Sequence, residues 1–145
     1  MKVEWDFHEL TDFANGLNDT YRLDTALMTA TRNISKVLHR YLKNWTPVDT
    51  GNLRKMWSAG NNLAFTVTKK ANGYEVTLIN TAINARGKKP FMYAVAVNDG
   101  HKTPDGTGWV MGRFFVENAM LQLTDESAQI ENIIMHELQK WWGAC

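Results

Sequence analysis

The stretch LDTALMTATRNISKVLHRYLKNWTPVDTGNLRKMW, residues 23 to 57, decides how this chain folds. Apolar side chains fall at Leu23, Leu27, Ala30, Ile34, Val37, Leu38, Tyr41, Leu42 and Trp45. These alternating steps of three and four residues draw one continuous stripe along a helix. The spacing predicts a helix over 21–45 with that stripe buried. Pro47 ends it, because proline donates nothing to a helical ladder and disfavours the α conformation in the residue before it. Beyond the proline, Asp49 or Thr50 can accept a hydrogen bond from an exposed backbone N–H, and Gly51 admits a conformation closed to other residues. Asn52 to Trp57 then reads as a further helical turn with Leu53 and Trp57 buried, so PVDTG is a helix stop and restart.

Towards the N-terminus, residues 8–19 read as a short helix with Phe13 and Leu17 on one side, weakened by Gly16. Towards the C-terminus the period changes to two. Leu63, Phe65 and Val67 alternate with Ala64, Thr66 and Thr68, and Tyr74, Val76 and Leu78 alternate with Glu75, Thr77 and Ile79. Asn72 and Gly73 supply turn chemistry between the two runs, which predicts an antiparallel hairpin. Residues 91–98 read as a third strand, reached across a polar, basic loop at 80–90 (NTAINARGKKP). A second loop covers 99–112, where Gly106, Gly108 and Gly112 give flexibility or tight turns. A short helix over 113–123 follows, and then a C-terminal helix from Thr124 with Asp125 and Glu126 at its positive end. Ile130, Ile133, Ile134, Leu138 and Trp141 mark its buried stripe. The expected fold class is α+β in a single domain, 1–145: an antiparallel sheet of three to four strands against the long helix and the C-terminal helix, with both loops projecting.

Composition supports one domain with a real core, since the 145 residues are 44% hydrophobic. Cys145 is the only cysteine, so no intrachain disulfide is expected and a cytosolic origin fits. The run Met92 to Val97 falls far short of the ~20 residues a membrane span needs, and the N-terminus lacks a basic stretch followed by an apolar one. A chain neither secreted by a classical signal nor spanning a membrane is expected. Net charge is +1, which argues against coating nucleic acid by bulk attraction. The charge is segregated, however. Residues 1–21 and 114–145 each hold one Lys against five acids, −4 apiece, while 22–113 hold fourteen Lys and Arg against five acids, +9. Such an arrangement lets the ends fold back onto the middle or lets copies dock side by side. Within the middle, Arg32, Lys36, Arg40 and Lys43 form a basic stripe opposite the apolar one, facing solvent, an acidic neighbouring subunit or DNA.

Motifs for catalysis are weak. His101 with Asp99 and Asp105 nearby could be tuned for acid–base work, but no nucleophile stands at a recognisable spacing. A loop in which Asp99, His101 and Thr103 satisfy backbone groups is the better reading. The glycines at 106, 108 and 112 lack the spacing of a dinucleotide fingerprint and do not run into a phosphate loop. Two HEL triplets, at 8–10 and 136–138, lack the second histidine of a zinc hydrolase. Four scattered histidines and one cysteine make no structural zinc site. Trp45, Trp57 and Trp141 sit on apolar stripes and read as core, whereas Trp5, Trp109 and Trp142 lie near termini or on a loop, where aromatic side chains anchor interfaces.

The PVDTGNLR turn pairs with a second string, YAVAVNDGHKTPDGTGWVMGRFFVENAM, residues 93 to 120. Together they resemble the small head–tail joining proteins of long-tailed bacteriophages and phage-like tail particles, also described as tail-completion, neck or collar proteins. The resemblance spans nearly the whole chain, from an N-terminal helical region through the turn and a sheet to a string that carries Tyr93, Val97, Gly100, His101, Thr103, Gly106, Val110, Gly112, Arg113 and Phe114, and then C-terminal helices. It implies a structural turn at Pro47, Asp49, Thr50, Gly51, Leu53 and Arg54. It implies inter-subunit loops at Arg86, Lys88 and Lys89 and at Gly100, His101, Lys102, Thr103, Trp109, Gly112, Arg113 and Phe114. The function implied is that of a structural virion protein without cofactor or catalysis. It would form a ring, commonly sixfold, at the head-proximal end of a tail, ending the tail tube or joining it to the head connector. Its partners would be further copies of itself and adjacent tail-tube, terminator or connector proteins, with DNA only in transit and no membrane. It would be assembled in the host cytoplasm and carried in the virion. A head-completion or stopper ring is the near alternative. A nucleic-acid-binding module using the basic stripe and a small hydrolase around His101 are the distant ones.

Overall fold

The apolar stripe of residues 23–42 becomes one long helix, α1 (Thr20–Trp45). The computed structural model describes residues 1–4, 20–48, 51–59, 65–84 and 91–142. The helix expected over 8–19 lies outside them. Leu23, Ala26, Leu27, Ala30, Ile34, Leu38 and Leu42 of α1 are almost wholly buried. Two polar residues share that face: Thr31 and Ser35 donate their hydroxyls to the carbonyls of Leu27 and Thr31, each at 2.7 Å. Bonding within the helix lets a buried hydroxyl need no partner elsewhere.

After Pro47 a single helical turn, α2 (Asn52–Lys55), precedes strand β2 (Trp57–Ala59). Leu53 and Trp57 are buried as expected, but Trp57 opens a strand instead of closing the helical turn. Strand β1 (Lys2–Glu4) and β2 flank β5 (Thr77–Asn80), giving an antiparallel sheet in the order β1-β5-β2. Its register pairs Val3 with Leu78 and Ser58 with Ile79. The hairpin expected between the two period-two runs forms from β3 (Thr68–Lys70) and β4 (Gly73–Glu75). Phe65 and Val67 are buried and Thr66 and Thr68 exposed, so the alternation holds, although 65–67 stand outside the ladder and Phe65 has a φ of +49°. Asp24 of α1 ties this hairpin down by accepting from Tyr74 and pairing with Lys69 at 2.5 Å. Burial alone would push the Asp24 carboxyl up, but the bonds from Lys69 and Tyr74 and the lysine's charge hold it below its ordinary value.

Residues 91–98 depart from the expected strand. Only β7 (Phe91–Met92) is extended, paired with β6 (Ile83–Asn84), and α3 (Ala94–Asp99) follows. AVAV carries no period of its own, and in the structure Ala94 and Asn98, four apart, turn inward while Val95 is exposed. The projecting loop expected at 99–112 is instead a hairpin of β8 (Gly100–Lys102) and β9 (Trp109–Met111). Helices α4 (Phe115–Asp125) and α5 (Ser127–Trp142) complete the chain, both packed on α1. Asp125 closes α4, so the C-terminal helix begins three residues later than expected. Ile130, Ile133, Ile134 and Leu138 pack against the core, while the Trp141 side chain lies outside the described set. Trp45 is 46% exposed, a correction to its assignment as core; its indole N–H donates to Gln122 on α4 at 2.8 Å. Among the described residues no helix is long and apolar enough to cross a membrane.

Candidate interaction site

The end of α1 is held by one residue. Thr46, 1% exposed, donates its hydroxyl to the carbonyl of Leu42 and accepts the indole N–H of Trp57 at 2.9 Å. Its own carbonyl accepts the Arg54 guanidinium at 3.2 Å. The exposed arginine of the GNLR segment therefore closes the turn across the proline. Gly51, with φ +82°, stands at the N-cap of α2 without a side-chain cap. Asp49 and Thr50, expected to cap this turn, lie outside the described residues. Beneath the turn, the fully buried Asn80 donates to the Leu53 carbonyl at 2.8 Å and accepts the Ala82 N–H at 3.0 Å. Trp57 meets Phe115 edge to face, with ring centroids 6.2 Å apart, and so joins the turn to α4.

A second buried asparagine organises the other string. Phe114 stands at the N-cap of α4 in the left-handed region, φ +49°, with no capping side chain. Asn98, at the end of α3, supplies the missing acceptor: its Oδ1 takes the Val116 N–H at 2.9 Å and its carbonyl takes the Phe114 N–H at 3.0 Å. Its amide donates to Glu117 at 3.1 Å and to Asp99 at 2.7 Å. Gly112 lies against this junction so closely that a Cβ there would stand 2.4 Å from the Asn98 carbonyl oxygen. Gly100, with φ +91°, faces it across the base of the β8–β9 hairpin.

The two strings meet at a cleft of about 260 Å³ lined by Pro47, Val48, Gly51, Leu53, Tyr93, Val97 and Arg113. Asn52 donates to the Tyr93 hydroxyl at 3.2 Å, a direct bond between the strings. Among the described residues the cleft wall is apolar apart from Tyr93 and Arg113, and Arg113 has no acidic partner. Beside it the β8–β9 hairpin stands out as a finger. Its tip is closed by Thr103, whose N–H reaches the Gly108 carbonyl at 3.0 Å and whose hydroxyl accepts the Gly108 N–H at 2.9 Å. Asp105 accepts from the Thr103 hydroxyl at 2.5 Å and the Thr107 N–H at 3.1 Å, and these bonds lower its carboxyl to about 2. Thr103 thus satisfies backbone groups as expected, with Asp105 in the place foreseen for Asp99.

Trp109, Val110 and Met111 are all exposed, at 59%, 43% and 72%, and Phe114 follows at 44%. His101 and Lys102 are exposed on the paired strand, where His101 Nδ1 lies 2.8 Å from the Lys102 carbonyl. Lys36 and Arg40 of the basic stripe are exposed and Arg32 and Lys43 half-buried, with the Arg40 guanidinium 5.7 Å from the centroid of the Tyr41 ring. Arg86, Lys88 and Lys89 lie outside the described residues. Among those described, no three His, Cys, Asp or Glu residues gather as metal ligands would. Tyr93 and Val97 belong to the second string, whereas the sequence does not single out Thr46 and Asn98 as parts of the site. Thr46 precedes the proline and Asn98 ends an apolar run, the only hints the sequence offers.

The family model described as "Bacteriophage HK97-gp10, putative tail-component" matches residues 9–100, well over half of the chain. The match takes in the turn at 46–57 and the second string as far as the foot of the finger. No curated protein and no solved structure matches the chain.

Proposed function

The chain belongs to the HK97-gp10-like family of bacteriophage tail components, and from that premise we propose that it forms a ring at the head-proximal end of the tail. The ring ends the tail tube or joins it to the head connector, and its work is structural, without a catalytic step. It is carried in the virion at the neck, binds tail-tube, terminator or connector proteins above and below, and lets DNA pass through its lumen.

The observation that carries this reading is the convergence of the two signature strings on a surface suited to protein contact. An apolar cleft, an arginine without an acidic partner among the described residues, and a finger with exposed Trp109, Val110 and Met111 stand side by side. Adjacent apolar side chains exposed in this way mark interaction sites more often than they mark idle surface. Charge supports the same reading. The basic face of α1 belongs to the basic middle of the chain, and the acidic residues Glu117, Asp125 and Glu131, exposed on α4 and α5, belong to its acidic C-terminal part. Complementary patches of this kind fix the register between neighbours. The loop with Arg86, Lys88 and Lys89 and the finger are the parts assigned to neighbouring subunits or adjacent rings.

Electron microscopy of particles made after deletion of this gene, beside the complemented strain, tests the reading. Unjoined tails, tails of irregular length or full heads without tails are the expected defects. Tails of abnormal length identify a terminator, and tailless full heads identify a connector. Normal, fully joined particles would overturn it.

A further inference from the structure

The finger and the cleft are two halves of one contact. In β9, Trp109 and Met111 are two apart and so share a face. Their cross-strand partners are Lys102 and Gly100, and Gly100 adds no side chain to that face. The indole lies over this glycine: its Nε1 is 2.9 Å from where a Cβ at Gly100 would stand. The face is therefore presented uncovered and in a fixed orientation, apolar at Trp109 and Met111 and flanked by the exposed Lys102.

Its own cleft is closed to it. Arg113, a wall of that cleft, follows Met111 by only two residues, and the hairpin foot is locked between them by Gly112 against Asn98. Trp109, at 59% exposure, is accordingly not seated there. Any finger that fills the cleft comes from another copy of the chain. At about 260 Å³ the cleft lies below the ~300 Å³ at which pockets for drug-sized ligands begin, a size for side chains and not for a cofactor. Charge agrees. Arg113 at the cleft lacks an acidic partner, and Asp105 at the fingertip lacks a cationic one, among the described residues.

We propose that the β8–β9 finger of one copy seats its Trp109–Met111 face in the Pro47–Leu53–Tyr93–Val97 cleft of the next copy, with Asp105 reaching Arg113. This rests on the ring reading above and adds the contact that closes the ring. Because finger and cleft are different surfaces, the contact is heterologous, each copy giving a finger to one neighbour and receiving one from the other. Contacts of this type form a ring where the rotation between successive copies closes, and an open filament where it does not.

Cysteine pairs in a Cys145→Ser background test it. Val48, at 54% exposure, lines the cleft and is accessible to the incoming finger. Trp109→Cys and Val48→Cys proteins, each alone, should give no disulfide-linked dimer under mild oxidation, and their mixture should give one. The double variant should give a ladder that ends at the ring's subunit number. In parallel, native mass spectrometry should show rings for wild type and Trp109→Phe and only monomers for Trp109→Asp, with unchanged circular dichroism because the side chain is exposed. A homodimer of Trp109→Cys alone, or a crosslink inside one chain of the double variant, would overturn the proposal. Rings that persist in Trp109→Asp would overturn it and leave the ring reading standing. A wild-type protein that forms no ring at high concentration or on purified tail tubes would remove both.

Discussion

Replacing Thr46 with valine isolates the bond on which the turn depends. The two side chains have nearly the same shape, so what is lost is the hydroxyl. The Leu42 carbonyl loses little, since it still accepts the Thr46 N–H at 2.9 Å. The Trp57 indole loses its acceptor altogether, and with Trp57 only 2% exposed no water replaces it. A buried donor left unpaired costs about 1–3 kcal/mol. Thr46→Val should therefore destabilise by about 2 kcal/mol, or lower Tm by about 4–8 °C in a domain of this size. Urea unfolding followed by far-UV circular dichroism measures it. Trp57→Phe supplies the control, because it removes the donor and keeps a ring against Phe115. In that background Thr46→Val should cost about 1–2 kcal/mol less than in wild type. Single and double effects that add to within about 0.5 kcal/mol would show that the two residues are not coupled, and would refute the account of the turn.

Asn98→Ala should cost about 1–3 kcal/mol in the same assay, because it removes the side-chain acceptor that the Val116 N–H uses at the start of α4. Gly112→Ala places a methyl 2.4 Å from the Asn98 carbonyl oxygen and should destabilise by about 1–3 kcal/mol, whereas Gly108→Ala, with its nearest contact a Thr103 methyl at 3.3 Å, should cost far less. His39 gives a pH dependence. Burial holds its pKa below the ordinary 6.5; its contact with the Trp57 carbonyl opposes this and the charge of Lys43 adds to it. The unfolded chain thus takes up the proton first, and stability present above about pH 6.5 is lost as pH falls through the lower folded value. Unfolding midpoints between pH 7 and 5 should fall less steeply in His39→Gln than in wild type.

What the sequence made legible follows from burial. Helix α1 has one wet and one dry face, so its period could be read, as could the alternation from Tyr74 to Leu78. The finger could not be read in that way. All three residues of β9 are exposed and β8 is exposed or half-exposed, so neither strand has the dry side that produces alternation, and its glycines look like a loop. The run AVAV failed for the opposite reason: short apolar stretches carry no period, and the helix of α3 shows only in which residues turn inward. The sheet order was hidden as well, since β1 and β2 are three residues long and meet β5 only across great sequence distances. Trp45 lies on the helical stripe by spacing, yet it comes after the last buried turn and ends against Gln122 in solvent. At the site, the PVDTG turn was recognised as a stop and restart, but its hub proved to be the threonine before it.

The placement of the buried asparagines explains why so exposed a finger can exist. A two-stranded hairpin with no covered face is marginal in water. This one is anchored where Asn98 receives two N–H groups of the segment that follows it and Gly112 fills the space left between. Its tip is closed separately by Thr103 and Asp105. Both ends of the hairpin are therefore fixed by polar contacts, and none of the exposed apolar residues of β9 is needed for the finger's own shape. Docking then orders little that is not already ordered, which removes much of the entropic cost of association. Trp109 and Met111 are free to act on a partner because the fold does not depend on them.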